Sequence, residues 1–127
     1  MSKATAPVEQ PTMAELRIQV RVELGAGHKI GPGKVALLEA IGESGSITAA
    51  GRRLGMSYRR AWLLVSALNQ MFDAAVVETV AGGAHGGGAR LTPFGAQLVV
   101  AYRTLEKAAG DAANTQLESF RSRIVRP

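Results

Sequence analysis

The most constraining feature of this chain is a pair of short apolar-periodic segments, each opened by a serine and separated by only Gly55 and Met56. Ser46 is placed to cap a helix by accepting a backbone N–H. Ile47, Ala50 and Leu54 then face inward until Gly55 ends that element after about two turns. Ser57 caps again at once. From there Ala61, Leu64, Val65, Leu68, Met71 and Phe72 follow at spacings of 3, 1, 3, 3 and 1, the single apolar stripe of a helix reaching about residue 72. Two helices joined by a turn of three or four residues holding a glycine form a helix-turn-helix. Gly51 inside the first of them costs up to about 1 kcal/mol against a better helix former, unless close packing on the next helix requires it.

The flanking segments complete a recognisable order. Residues 1–13 hold Pro7, Pro11 and small polar residues without period, and are expected to be a tail. Over residues 15–24, Leu16, Ile18, Val20, Val22 and Leu24 alternate strictly with charged and polar residues, which predicts a half-buried strand. Residues 25–33, with their glycines and Pro32, predict a loop. A helix over about 32–44 places Val35, Leu38 and Ile41 inside, sends Lys34, Glu39 and Glu43 to water, and stops at Gly45. Residues 76–80 and 89–92 predict a two-stranded hairpin across the glycine-rich run AGGAHGGGA, a loop that is either disordered or ordered by a partner. Thr92 caps a last helix with Pro93 at its first position. On it Phe94, Leu98, Tyr102, Leu105, Ala109 and Ala112 recur at spacings of 4, 4, 3, 4 and 3, close to a heptad seam. Gly110 and Asp111 are expected to interrupt it, and Leu117, Phe120 and Ile124 extend the stripe. The expected fold is mainly α with a small β-wing: a winged helix-turn-helix over residues 14–92, and a C-terminal dimerisation helix over 93–127.

Composition narrows the chemistry. The 127 residues carry a net charge of +5 and include no cysteine and only two histidines. Disulfides, thiolate metal sites and cysteine nucleophiles are excluded, and neither a metal nor a cofactor is expected. Between Ser46 and Phe72 stand Arg52, Arg53, Arg59 and Arg60 with no acidic residue before Asp73, a balance that favours an anionic partner. A solvated helix face is the plainer alternative. Gly33-Lys34 fails as a phosphate loop, because His28 occupies the first glycine position and Val35 follows the lysine. The glycine run precedes a strand rather than a helix, and neither histidine belongs to a nucleophile triad, so no enzyme is expected. The apolar runs fall short of a membrane span, and a cytoplasmic protein is expected.

In a winged helix-turn-helix the second helix enters the major groove N-terminus first, so the residues after its cap meet bases and phosphates. Here these are Ser57, Tyr58, Arg59 and Arg60, with Ser46, Arg52 and Arg53 placed for the flanking backbone. Alone, Arg59 and Arg60 fit a surface as well as a contact. In this setting contact is favoured. Tyr58 either touches sugar and phosphate or shields the helix start. Trp62 is read as a core anchor with its N–H near the surface, a DNA contact being the alternative. His85 and Arg90 are wing candidates for phosphate or minor-groove contact.

The residues also carry a family likeness. The stretch LLEAIGESGSITAAGRRLGMSYRRAWLLVSALNQ, followed by VVETVAGGAHGGGARLTPFGAQLVVAYR, resembles the N-terminal DNA-binding domain of the ModE family of bacterial molybdate-dependent transcriptional regulators, and related helix pairs occur in LysR-type regulators. Its most specific parts are Gly45-Ser46-Ile47, Gly55-Met56-Ser57-Tyr58 with Ala61-Trp62, and the wing leading into Leu91-Thr92. The resemblance implies a homodimer held by the C-terminal helix on a palindromic double-stranded operator near molybdenum uptake or molybdenum-enzyme genes. A winged module for protein contacts or non-specific DNA coverage is the alternative. Where the family carries a lysine in the wing, this chain has Ala84 and His85. The family's molybdate-binding domains lie outside these residues, so no small-molecule effector is expected within them.

Overall fold

The computed structural model describes residues 16–83, 86–125 and 127. The expected tail at 1–13 and His85 lie outside them. Along residues 16–22 the side chains of Leu16, Ile18, Val20 and Val22 are half-buried while Arg17, Gln19 and Arg21 are exposed, as the alternation demands. Pairing, however, covers only the end of this segment. Strand β1 (Val22–Gly25) runs antiparallel to β2 (His28–Ile30), with Val22 opposite Ile30 and Glu23 opposite Lys29. The long strand expected over 15–24 is therefore a short hairpin, and part of the expected loop is its second strand. Leu24, expected inward, is exposed. Gly25, Ala26 and Gly27 turn the chain with successive φ values of 95°, 54° and 82°, a left-handed path that favours glycine.

Helix α1 (Pro32–Ser44) has the bounds that Pro32 and Gly45 predict, and Gly45, at φ 73°, closes it by donating to the Ile41 carbonyl. It is the centre of the molecule: Val35, Leu37, Leu38, Ala40 and Ile41 are all buried. Helix α2 (Ile47–Arg53) follows, with Ile47 and Ala50 in the core. Leu54, expected inward, is 38% exposed. The chain already leaves the helix there, to turn at Gly55 with φ 72°. Helix α3 (Tyr58–Met71) packs on α2 at Gly51, where an added Cβ atom would stand 2.8 Å from that of Ala61. That close approach is why a glycine occupies a helix interior.

The wing is a single antiparallel hairpin, β3 (Val77–Gly83) and β4 (Gly86–Leu91), with Val77 opposite Leu91 and Thr79 opposite Ala89. Its ladder runs farther into the glycine-rich stretch than expected. Two fixtures orient it. The Ala89 N–H donates to the Gly45 carbonyl at 2.9 Å, and a Cβ at Gly88 would approach that same oxygen to 2.8 Å. At the base, Asn69 on α3 accepts from the N–H groups of Val76 and Val77 and donates to the Val77 carbonyl.

Helix α4 (Pro93–Gln116) starts as expected, the Thr92 hydroxyl accepting from the Gly95 N–H. It runs without interruption through Gly110 and Asp111, and the break comes instead at Leu117, before the short α5 (Glu118–Arg121). Phe94 meets Phe72 edge to face at 5.3 Å between ring centres, Leu98 packs on the core, and Tyr102 is buried with its hydroxyl donating to the Val20 carbonyl. Burial pushes the Tyr102 phenol above its usual value. The first half of the expected dimer seam thus packs within its own chain, while Leu105 is exposed and Ala109 half-buried. Glu39, expected to face water, instead forms a two-pronged ion pair with Arg103 of α4, which also reaches Glu106. No helix among the described residues is long and apolar enough to cross a membrane.

Candidate nucleic-acid interface

At 100° per residue, α3 divides into four faces. Ala61, Val65 and Leu68 are buried. Opposite them, Arg59, Leu63, Ser66 and Gln70 are exposed at spacings of 4, 3 and 4. Arg60 and Leu64 occupy one flank, Tyr58 and Trp62 the other. The helix start is held by the Ser57 hydroxyl, which accepts from the Arg60 N–H at 3.1 Å, and α2 is started in the same way by Ser46 through the Ala49 N–H. A fork-shaped guanidinium at Arg59, an aliphatic surface at Leu63 and a hydroxyl at Ser66 form one row of the kind that reads base edges in a major groove. Leu63, Ser66 and Gln70 escaped the sequence reading. Their signal was present as the complement of the apolar stripe.

The remaining candidates separate into free and engaged groups. Arg52 is exposed and holds no carboxylate among the described residues. Arg53 is drawn to Glu43 of α1 at 2.6 Å, and Arg90 to Glu78 across the wing at 2.8 Å. Exposed pairs of this kind contribute little to stability. Tyr58 is 63% exposed, with its ring centre 6.1 Å from that of Trp62. Trp62 does anchor to the core, but its indole nitrogen is buried rather than near the surface, and makes no hydrogen bond among the described residues. It lines a cleft of about 260 Å³ between α2, α3 and the wing, together with Ser46, Thr48 and Thr79.

On the opposite flank, Arg60 lines a second cleft, of about 240 Å³, with Arg21 at the entry to the N-terminal hairpin, Lys29 within it and Lys34 in the first turn of α1. Each flank of the outward row thus opens on a cleft, the Trp62 side carrying hydroxyls of Ser46, Thr48 and Thr79 and the Arg60 side carrying cations.

The sequence profile of the bacterial regulatory helix-turn-helix proteins of the lysR family matches residues 33–96, from the start of α1 to that of α4. The chain is 50% identical over 80 residues to molybdenum-pterin-binding protein MopB of Rhodobacter capsulatus, covering 63% of this chain and 30% of that one. It is 40% identical over 85 residues to molybdenum transport protein ModE of Herbaspirillum seropedicae, covering 67% and 32%. Against the DNA-binding transcriptional dual regulator ModE of Escherichia coli K12 the identity is 39% over 74 residues, covering 58% and 28%. The chain spans about a third of the length of these curated relatives. Among solved structures, the CbnR DNA-binding domain in complex with DNA is similar in fold, with a TM-score of 0.53 at 22% identity over 68% of this chain and 94% of that one.

Proposed function

Because the chain belongs to the lysR family of bacterial regulatory helix-turn-helix proteins, we propose that it is a sequence-specific, DNA-binding transcriptional regulator, acting on double-stranded operators of molybdenum transport or molybdenum-enzyme genes. The observation that carries this reading is the outward row of α3, headed by Arg59 at a capped helix start and free of any carboxylate partner among the described residues. The names of the relatives supply the molybdenum context. A regulator of bacterial operators works in the cytoplasm, and no catalytic role is needed.

Two copies acting together suit a palindromic operator. On the side of α4 turned away from its own domain, Ala101, Leu105, Ala108 and Ala112 are exposed at spacings of 4, 3 and 4, a stripe on which a second copy fits. Within a dimer, each α3 reads one half-site, about 34 Å from the other.

The test is selection of duplexes from random sequence by the purified protein, followed by titration of the selected site and an unrelated duplex. Wild type is expected to prefer the selected site, and Arg59→Ala to lose about 1 to 3 kcal/mol of that preference with unchanged folding. Equal affinity of wild type for every duplex moves the reading to architectural coverage, and no duplex binding ends it.

A further inference from the structure

The cleft on the Arg60 flank of α3 lies to one side of that helix's outward row. Arg21, Lys29, Lys34 and Arg60 converge on it from the N-terminal hairpin, α1 and α3, and none of them holds a carboxylate among the described residues. Glu23, opposite Lys29 in the ladder, forms no ion pair among the described residues. By contrast Arg53, Arg90, Arg103 and Lys107 each grip an acidic side chain, while Arg52 and Arg59 of the helix pair are as open as the cleft cations. Lys34 is also positioned, donating one of its three protons to the Lys29 carbonyl at 2.7 Å, which holds its ammonium at the cleft and leaves two protons for a ligand. Like charges gathered around one small hollow repel one another, and an oxyanion relieves that repulsion.

The direction of α3 says which oxyanion. A helix lying in the major groove has one sugar-phosphate strand along each flank, and the groove is only about 12 Å wide. If Arg59, Leu63 and Ser66 face the bases, one strand passes Trp62 and the wing, and the other passes Arg60 and this cleft. We infer that the cleft between the N-terminal hairpin, the start of α1 and α3 seats the phosphates of one DNA strand, so that Arg21, Lys29 and Lys34 extend the interface beyond the helix-turn-helix. This inference rests on the proposed reading of α3. The contacts carry no sequence information; they set register and affinity.

The test compares two double variants of equal charge change, Arg21→Gln with Lys34→Gln in the cleft, and Lys107→Gln with Arg123→Gln near the C-terminal end. Binding of the selected and unrelated duplexes is followed from about 50 to about 200 mM salt. For the cleft variant the slope of log affinity against log salt is expected to fall by about 0.9 for each phosphate that a protomer no longer neutralises, with both duplexes weakened by the same factor. The control is expected to keep nearly the wild-type slope. Equal slopes in the two variants overturn the cleft as a backbone seat. The reading of α3 survives that result if wild type still discriminates and Arg59→Ala does not. A titration with inorganic phosphate alone separates a free anion from DNA. Phosphate binding that the cleft variant abolishes, with duplex affinity unaltered, assigns the hollow to a free oxyanion and removes it from the DNA interface.

Discussion

Asn69 ties the base of the wing to α3 through three hydrogen bonds. Its carboxamide oxygen takes the N–H groups of Val76 at 2.7 Å and Val77 at 3.0 Å, and its nitrogen reaches the Val77 carbonyl at 2.9 Å. Both valines are buried, so nothing replaces these partners when the side chain is truncated. Asn69→Ala is expected to lower stability by about 2 to 3 kcal/mol in urea unfolding, since it strands two donors and an acceptor. Gly51 is constrained by space instead. An alanine there gains up to about 1 kcal/mol of helix propensity but sets its methyl 2.8 Å from the Cβ of Ala61, both atoms being fixed to backbone. Overpacking of that kind costs about 1 to 3 kcal/mol, and Gly51→Ala is expected to melt below wild type. A higher melting temperature would show that α2 and α3 separate without cost. Cap chemistry is local, and so Ser46, Ser57 and Thr92 were legible as caps in the sequence alone. Asn69 was not, because it serves a segment beyond the end of its own helix.

Between elements, the strongest polar link is the tie from α1 to α4. Arg103 donates through two nitrogens to the two oxygens of Glu39, at 2.9 and 2.6 Å, and through its third to Glu106 at 2.7 Å. The hydrogen bonds from Arg103 hold the Glu39 carboxyl below its ordinary value, outweighing its desolvation, and the Arg103 guanidinium is held more firmly protonated by the same contacts. A carboxyl whose folded value is depressed adds stability above its unfolded value near 4.3, and that contribution disappears as pH falls through the lower folded value. Glu39→Gln is therefore expected to melt below wild type at neutral pH, with the gap closing as the acid range is entered. Parallel curves at all pH values would deny the pair any role in stability. Sequence periodicity placed Glu39 correctly off the α1 core, yet its partner lies 64 residues away, and no local pattern reports α4 passing there. The N-terminal strand erred in the opposite way. Alternation records which side chains are covered, not whether the backbone has a ladder partner, and residues 16–21 alternate in burial without one among the described residues.

At the scale of the molecule, α4 serves two purposes along its length, and the heptad pattern did not distinguish them. Its 24 residues span about 36 Å. Phe94, Leu98 and Tyr102 face the chain's own core, whereas Ala101, Leu105, Ala108 and Ala112 form a separate exposed row turned to the side. The two rows make opposite predictions for charge insertion. Leu98→Glu puts a carboxylate against the packed interior and is expected to unfold the domain, so loss of assembly in that variant says nothing about an interface. Leu105, 44% exposed, accepts a glutamate without disturbing the fold of one chain. Leu105→Glu is accordingly expected to retain the wild-type melting curve while sedimenting as a monomer where wild type sediments as a dimer. Since two linked recognition helices raise avidity by about 10²- to 10⁴-fold over one, the same variant is expected to lose most of its affinity for a full palindrome and almost none for a half-site. A wild-type chain that is monomeric at the concentrations of binding, or a Leu105→Glu protein still dimeric, places the second copy elsewhere than on this row. The half-site comparison then decides whether two recognition helices act together at all.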